Sequence, residues 1–356
     1  MVLNKIFLTE QFKKKVLKYN VENNDIIKYL SDLEIDKIKK KHHVNLYFRL
    51  KRYLKILILK ILGFLRIRKN DVVVQSRKLE NVKRKYDKIS GHYVNKYLDK
   101  KTTFVAEIHR KKIAELKGHY EKYYSKILHN FYEYENFKSV LEVGAGELTI
   151  IAELMNRIGD KNSSILKGAL DISFQRLLEG KKLVESKNLN FDYIVRGDAS
   201  KLPFLDNSFE VIYTSHCLEQ VPNLFNKIVN ECIRVSKKYV IFIEPSYEYG
   251  STVTKDHIFR KGYPKIKNNL FKEDNYRIIL REPMPIRSLV NGTEIIILKK
   301  NDDQIFHNNN NNLLCCPKSK NPLQKNGDKL ICKKEQIFYP IKFGISLLES
   351  NDLNRI

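Results

Sequence analysis

The sequence predicts an α/β fold built on a largely parallel sheet, and three observations carry that prediction. Between Phe137 and Lys300, short apolar runs alternate with helical patterns, the grammar of strands joined by crossover helices. The run Val140-Leu141-Glu142-Val143 ends in Gly144-Ala145-Gly146 and passes directly into the helical pattern Leu148–Met155. Carboxylates stand where the next runs end: Asp171 closes the second and Asp198 follows the third.

The N-terminal third reads differently. The chain has 356 residues, 42% of them hydrophobic, enough for two or three domains with a full core. Its formal charge is +25, of which residues 1–135 hold +18 from 33 Lys/Arg against 15 Asp/Glu. The basic partner surface is therefore N-terminal. From Lys37 to Asn70 there are twelve Lys/Arg and no acidic residue. Leu46, Leu50, Tyr53, Leu54, Leu57, Ile58, Ile61, Phe64 and Leu65 recur there at helical spacing, so an amphipathic helix is expected at about 42–66. Such a helix fits an anionic membrane surface, a nucleic-acid backbone, or simple packing on the rest of the chain. Two further helical patterns, about Arg77–Asp99 and Phe104–Tyr132, predict a helical cap over 77–132. Its tyrosines, among them Tyr86, Tyr93, Tyr97, Tyr120, Tyr123 and Tyr124, either line an acceptor pocket or pack between helices.

Met1–Lys15 lacks a signal-type apolar run, because Lys5, Glu10 and Lys13 interrupt it. Tyr53–Leu65 falls short of the roughly 20 residues of a membrane span. Five cysteines, two of them inside the α/β unit, point to a reducing setting. The expected location is cytoplasmic, with peripheral attachment at the inner face of a membrane through residues 37–70.

From Phe137 the elements follow in order. Ser139–Val143 is strand one, and its helix ends near Gly159, a C-terminal cap. Ile165–Leu170 is strand two, ending at Asp171, 25 residues after Gly146, near where dinucleotide-type folds set a carboxylate on ribose hydroxyls. Ser173 caps the helix that runs through Lys187. Phe191–Val195 is strand three, and strand four lies within the segment Asp206–His216. Val221-Pro222-Asn223 opens a helix through Val235, Tyr239–Ile243 is strand five, and Tyr276–Arg281 and Glu294–Lys299 supply two more.

The segment Gly197-Asp198-Ala199-Ser200-Lys201-Leu202-Pro203-Phe204-Leu205-Asp206-Asn207-Ser208-Phe209-Glu210 is far more specific than the glycine turn. With Glu142-Val143-Gly144-Ala145-Gly146 and Asp171-Ile172-Ser173, it resembles the class I S-adenosylmethionine-dependent methyltransferases of the small-molecule type over about residues 137–300. The resemblance implies a Rossmann-like seven-stranded methyltransferase sheet. It also implies S-adenosyl-L-methionine as cofactor, held by Glu142, Gly144, Ala145, Gly146, Asp171, Ile172, Asp198, Ala199 and Ser215. Leu148 stands where a third glycine is common, and Glu210 where Asp is usual.

Asp302–Asn312 is linker by composition. A separate small unit follows at 313–350: Cys315-Cys316-Pro317, then Cys332, then Tyr339-Pro340-Ile341-Lys342-Phe343-Gly344-Ile345-Ser346. It resembles the zinc-ribbon-like family of methyltransferase activators. The positions matching that family's metal ligands are Cys316, Ser319, Cys332 and Glu335, a degenerate set that argues against zinc. The expected organisation is thus a basic helical region 1–135, a methyltransferase domain 136–300, an Asn-rich linker 301–312 and an activator-like β unit 313–350.

Methyl transfer from a sulfonium is an in-line displacement, so alignment in a dry pocket matters most and a base is needed only when the acceptor must lose a proton. His216, Glu219, Glu244 and Tyr247 are the candidates for such a base. The expected partner is a small-molecule, glycan-like or lipid-linked acceptor. Alternatives are an RNA-modifying methyltransferase and a non-catalytic cofactor-binding scaffold; the oligomeric state is open.

Overall fold

The computed structural model describes residues 10–19, 21–42, 54, 78–108, 112–264, 266, 276–301 and 312–355. All but residues 42 and 54 of the amphipathic helix expected at about 42–66, and nearly all of the linker 302–312, lie outside these residues. In chain order the principal elements are β1 (Ile26–Tyr29), α1 (Asp32–His42), α2 (Leu79–Lys88), α3 (His92–Leu98), β2 (Thr103–Ile108), β3 (Lys112–Lys117) and α4 (Glu121–Glu135). The α/β unit follows with β4 (Ser139–Val143), α5 (Thr149–Ile158), β5 (Leu166–Asp171), α6 (Phe174–Ser186), β6 (Tyr193–Arg196) and β7 (Phe209–Ser215). It continues with α7 (Phe225–Val235), β8 (Ser236–Pro245), α8 (Thr252–Lys261), β9 (Tyr276–Pro283), β10 (Ile286–Ser288) and β11 (Thr293–Lys300). The C-terminal unit holds β12 (Gln324–Asn326), β13 (Lys329–Cys332), β14 (Ile337–Lys342), β15 (Ile345–Leu347) and β16 (Asn354–Arg355).

Strands β6-β5-β4-β7-β8 are parallel neighbours, and β11 and β9 extend the sheet antiparallel beyond β8. Burial on both faces makes β4 an unbroken buried run, with Val140, Leu141 and Val143 fully covered. The strand order turns back on itself at β4, with β5 and β7 on either side. That switch point opens a crevice at the carboxyl ends of these strands, where Gly144, Asp171 and Ser215 all lie.

Two sequence expectations need correction. The α/β unit supplies the seven strands the resemblance implies, β6-β5-β4-β7-β8-β11-β9, but among the described residues the sheet has twelve, because β15 pairs in parallel with β6 and carries β14, β13, β12 and β16 onto it. The C-terminal unit is therefore not separate. Its first segment also docks on the domain, the Cys315 amide donating to Pro203 O at 3.0 Å and the Leu205 amide to Leu313 O at 2.9 Å.

The helical cap over 77–132 is also broken up. Gly91, at φ 85°, splits the first pattern into α2 and α3. Within the second, residues 103–117 form the hairpin β2–β3 rather than helix. The physical cause is long-range pairing. Ala106, Ile108, Ala114 and Leu116 alternate inward at period two, and the hairpin is completed by β1 on one edge and by β10, drawn out of the α/β domain, on the other. Arg287 on β10 fastens that join, its Nη2 reaching both carboxylate oxygens of Glu107 at 3.0 and 3.1 Å. Only α4 remains of the expected helix, packed by its Tyr124, Ile127, Leu128 and Phe131 face. No described helix is long and apolar enough to cross a membrane.

Candidate functional site

The crevice holds a cavity of about 490 Å³, inside the usual range for small-molecule sites. Glu142, Gly144, Ala145, Asp171, Ile172, Asp198, Ala199 and Ser215 line it. Gly144 takes φ 76° and Gly146 φ 55°, the left-handed backbone that a turn of this tightness needs. A Cβ on Gly144 would lie 2.5 Å from Cys217 Sγ, so only glycine fits there. Leu148, where a third glycine is common, enters α5 at φ 57° yet is wholly buried against Gly180, its packing holding a backbone conformation unusual for leucine.

Asp171 is anchored rather than free. The Gly146 amide donates to its Oδ2 and the Ser173 amide to its Oδ1, both at 2.8 Å. Each oxygen keeps a second lone pair, the arrangement needed to accept from two vicinal hydroxyls. Ser173 also caps α6, accepting the Arg176 amide at 3.2 Å. Asp198 caps its own turn by accepting the Ser200 amide at 2.8 Å. Glu142 is buried, and burial pushes its carboxyl up to about 8. Among the described residues, Glu142 Oε2 and Ser215 Oγ are buried without a well-formed hydrogen bond, although both residues sit on the cavity wall. Unsatisfied polar atoms of this kind mark places for ligand atoms. A sulfonium nucleoside bearing an ammonium group and a ribose fits this donor set: a carboxylate for the cation, paired lone pairs for the diol, and a glycine turn for close approach.

Of the candidates for a base, His216 and Glu219 line the cavity, whereas Glu244 and Tyr247 do not. Glu244 Oε1 instead ties the turn after β7, accepting the Thr214 hydroxyl at 2.8 Å and the Cys217 and Leu218 amides at 3.0 and 3.2 Å. Its burial pushes it up to about 7. His216 sits at φ 53° with both ring nitrogens engaged. Nε2 faces the Tyr124 and Thr293 hydroxyls, each at 3.4 Å; Nδ1 faces the Asn291 amide at 3.3 Å and Glu219 at 3.5 Å. Burial pulls the imidazole down, but Glu219, together with Glu244 and Glu121, outweighs it and the net shift is upward. This is a hydrogen-bonded wall, its ring stacked at 10° and 6.0 Å on Tyr124.

Three site features were not singled out from the sequence. The guanidinium of Arg176 lies between Tyr86 and Tyr93, 4.8 Å from each ring centroid, over Gly146 and 3.9 Å from Asp171. Glu147, the residue after the glycine turn, accepts the Gly91 and Val94 amides at 3.1 and 2.7 Å, so the start of α3 is hung on the turn itself. The third is His119, whose Nδ1 bonds the buried Glu121 carboxylate at the head of α4. The available signal was weak: an arginine on the apolar stripe Leu177-Gly180-Leu183-Val184, and a histidine just after Gly118, which ends a strand. The Tyr86, Tyr93, Tyr120 and Tyr124 rings line the same cavity, while Tyr97 hydrogen-bonds Glu153 at 2.7 Å and Tyr123 is packed in the core.

In the C-terminal unit, Cys316 Sγ lies 3.5 Å from the Tyr339 hydroxyl, Ser319 Oγ lies 3.9 Å from Cys332 Sγ, and Glu335 pairs with Lys318. Two thiols, a hydroxyl and an engaged carboxylate do not fit a structural zinc. No cluster of three or more potential ligands occurs among the described residues.

Residues 141–243 match the family described as methyltransferase domain, and residues 312–344 match the family described as Trm112p-like protein. The ubiquinone/menaquinone biosynthesis C-methyltransferase of Rickettsia bellii is 33% identical over 107 residues, 30% of this chain and 42% of that protein. The protein of the same name from Rickettsia prowazekii is 32% identical over 107 residues, with the same coverage. The chain thus spans about two fifths of the length of the curated relatives it matches. Magnesium protoporphyrin IX methyltransferase from Synechocystis, solved with bound S-adenosylmethionine, is 9% identical with a TM-score of 0.40, covering 51% of this chain and 79% of that one; a likeness this weak carries no inference. The central domain of this chain is a class I S-adenosylmethionine-dependent methyltransferase domain, and a Trm112p-like unit completes its sheet.

Proposed function

We propose that this protein transfers a methyl group from S-adenosylmethionine to a small acceptor, glycan-like or lipid-linked, bound in the cavity beside the glycine turn. The observation that carries the reading is Asp171, held by two backbone amides with a lone pair spare on each oxygen, in a cavity shared with the unsatisfied Glu142 and Ser215 atoms. The bound donor supplies an electrophilic methyl on a sulfonium. This chain's residues orient it and exclude water: Gly144 and Ala145 offer backbone, Ile172 and Ala199 offer apolar wall beside Asp198, and Glu142 faces the cationic part. The acceptor would lie against Tyr86, Tyr93, Tyr120 and Tyr124, a surface suited to a planar or sugar-like group. A lipid-linked acceptor draws support from the relatives named for ubiquinone/menaquinone biosynthesis, and from the basic stretch 37–70, which suits an anionic membrane surface.

RNA is the second reading, favoured by the +25 charge and the Trm112p-like unit. One experiment separates the two. Cell extract is incubated with the protein and a tritium-labelled methyl donor, then partitioned into organic, aqueous small-molecule, nucleic-acid and protein fractions. Label in the organic or small-molecule fraction supports the first reading, and label in nucleic acid replaces it with the second. Tight donor binding with no label in any fraction leaves only a scaffold. Flotation of the full chain with anionic vesicles tests the membrane component; failure to float removes it.

A further inference from the structure

We propose that His119 is the general base for the acceptor, with Glu121 as the residue that orients it. The inference rests on the methyl-transfer reading above. Among the residues lining the cavity, His119 and His216 are the two imidazoles, and they are wired differently. His216 has both nitrogens engaged by protein groups. His119 has its Nδ1 on Glu121 Oε2, while its Nε2 bonds no described residue and is not sealed from the cavity. Glu121 is 1% exposed, and its other oxygen accepts the Thr149 hydroxyl at 3.4 Å. A buried carboxylate bonded to Nδ1 selects the tautomer with the proton on that nitrogen and leaves a lone pair on Nε2, the wiring of the histidine–carboxylate pair in triad hydrolases.

Position supports the role. Thr149 is the first residue of α5, the helix that begins at the glycine turn, so the pair is tied to the element that would cradle the donor. The imidazole packs against the Tyr120 ring, tilted at 42° with centroids 3.7 Å apart, and meets Tyr93 edge-on at 6.5 Å. The ionisable groups around it are Glu121 beside it, Tyr120 against its face, Tyr93 from α3 with Arg176 behind that ring, and His216 with Glu219 beyond Tyr120. Sequence position hid the pair, because Gly118-His119-Tyr120-Glu121 is the joint between a strand and a helix and is apart from every cofactor motif.

The acceptor class follows: a nucleophile X–H that carries its proton at neutral pH, such as a hydroxyl, a protonated amine or an activated C–H. The X–H bond breaks and its proton goes to Nε2. The electron pair left on X forms the X–methyl bond as the donor's sulfur keeps the pair of the bond it loses, ending as a neutral thioether. The imidazolium then returns its proton to water.

Two measurements test this. Long-range hydrogen–nitrogen NMR on the full chain with isotope-labelled histidine reads the tautomer directly; Nδ1–H with an unprotonated Nε2 is expected, and Glu121→Gln should shift it toward Nε2–H. Calorimetry with S-adenosylmethionine alone, together with label incorporation into cell extract, reads the function. His119→Gln should bind the donor within about twofold of wild type and lose about 10²–10⁴-fold in transfer, with the acid limb of the pH profile abolished. Glu121→Gln should lose less, with that limb displaced rather than removed. An Nε2–H tautomer in the unmutated protein, or wild-type transfer by His119→Gln, overturns the assignment while leaving methyl transfer intact. An unmutated protein that binds no S-adenosylmethionine overturns both.

Discussion

Arg196 Nη1 donates to Asp352 Oδ1 at 2.7 Å, joining the strand end two residues before Asp198 to the last turn of the C-terminal unit. Its Nη2 bonds Glu349, which also receives Lys83 Nζ from α2 at 2.8 Å. One buried carboxylate therefore gathers the end of β6, the C-terminal unit and a helix whose Leu79, Val82 and Tyr86 wall the cavity.

Glu349→Gln should accordingly act on both stability and donor binding. Breaking a buried pair and leaving a cation unmatched costs about 3–5 kcal/mol when complete, and Asp352 retains part of the match, so a loss of about 1–3 kcal/mol is expected. The urea midpoint should fall, and the S-adenosylmethionine Kd should rise several-fold by calorimetry. A stability loss below about 0.5 kcal/mol would mean that Glu349 does not hold these elements together.

Asp171→Ala removes the acceptor of two backbone amides as well as the partner proposed for the diol. Donor binding should weaken by at least about 100-fold, since hydrogen bonds to a charged group contribute about 1.5–3 kcal/mol each. Asp171→Asn keeps one oxygen for one amide and should fall between. Equilibrium dialysis with labelled donor distinguishes the three proteins, and unchanged affinity in Asp171→Ala would remove this residue from the site.

Glu142 sets a pH dependence. Burial lifts its carboxyl from an ordinary 4.5 to about 8. Between those values the folded chain holds a proton that the unfolded chain has released, so this group's contribution to stability declines as pH rises through that window. Glu142→Gln should flatten the slope and be more stable than wild type near the upper end, while binding S-adenosylmethionine more weakly. Pairing with a cation favours the ionised carboxylate, so wild type should release a proton on binding in this window and the variant should not. Calorimetry in buffers of different ionisation enthalpy measures that difference.

Leu148 and Gly180 form a matched pair. A Cβ on Gly180 would lie 2.6 Å from Leu148 Cδ1 and 2.7 Å from the Glu147 carbonyl carbon. Gly180→Ala should cost about 1–3 kcal/mol through overpacking at the glycine turn. Leu148→Gly relieves the left-handed backbone, worth about 1–2 kcal/mol, but loses a fully buried side chain worth about 2–5 kcal/mol, so net destabilisation is expected. Urea unfolding monitored by circular dichroism checks both signs, and a stabilised Leu148→Gly would mean that strain outweighs packing here.

Apart from α8 and β10, the order of strands and helices from Ser139 to Lys300 was legible in the sequence, as were the glycine turn, the caps at Gly159 and Ser173, and the carboxylates at Asp171 and Asp198. These depend on local rules: apolar period, turn stereochemistry, and side chains bonding amides a few residues away. Tertiary structure decided the rest. Residues 103–117 became a hairpin because Ile286–Ser288 and Ile26–Tyr29 supply its edges, and β15 became a sheet strand because β6 offered an unpaired one. Arg176 gained its place between Tyr86 and Tyr93, and His119 its place on the cavity wall, from packing between elements 30 to 90 residues apart. Local chemistry specifies which backbone each segment prefers, while the site's acid–base wiring depends on which side chains the closed fold brings within hydrogen-bond reach.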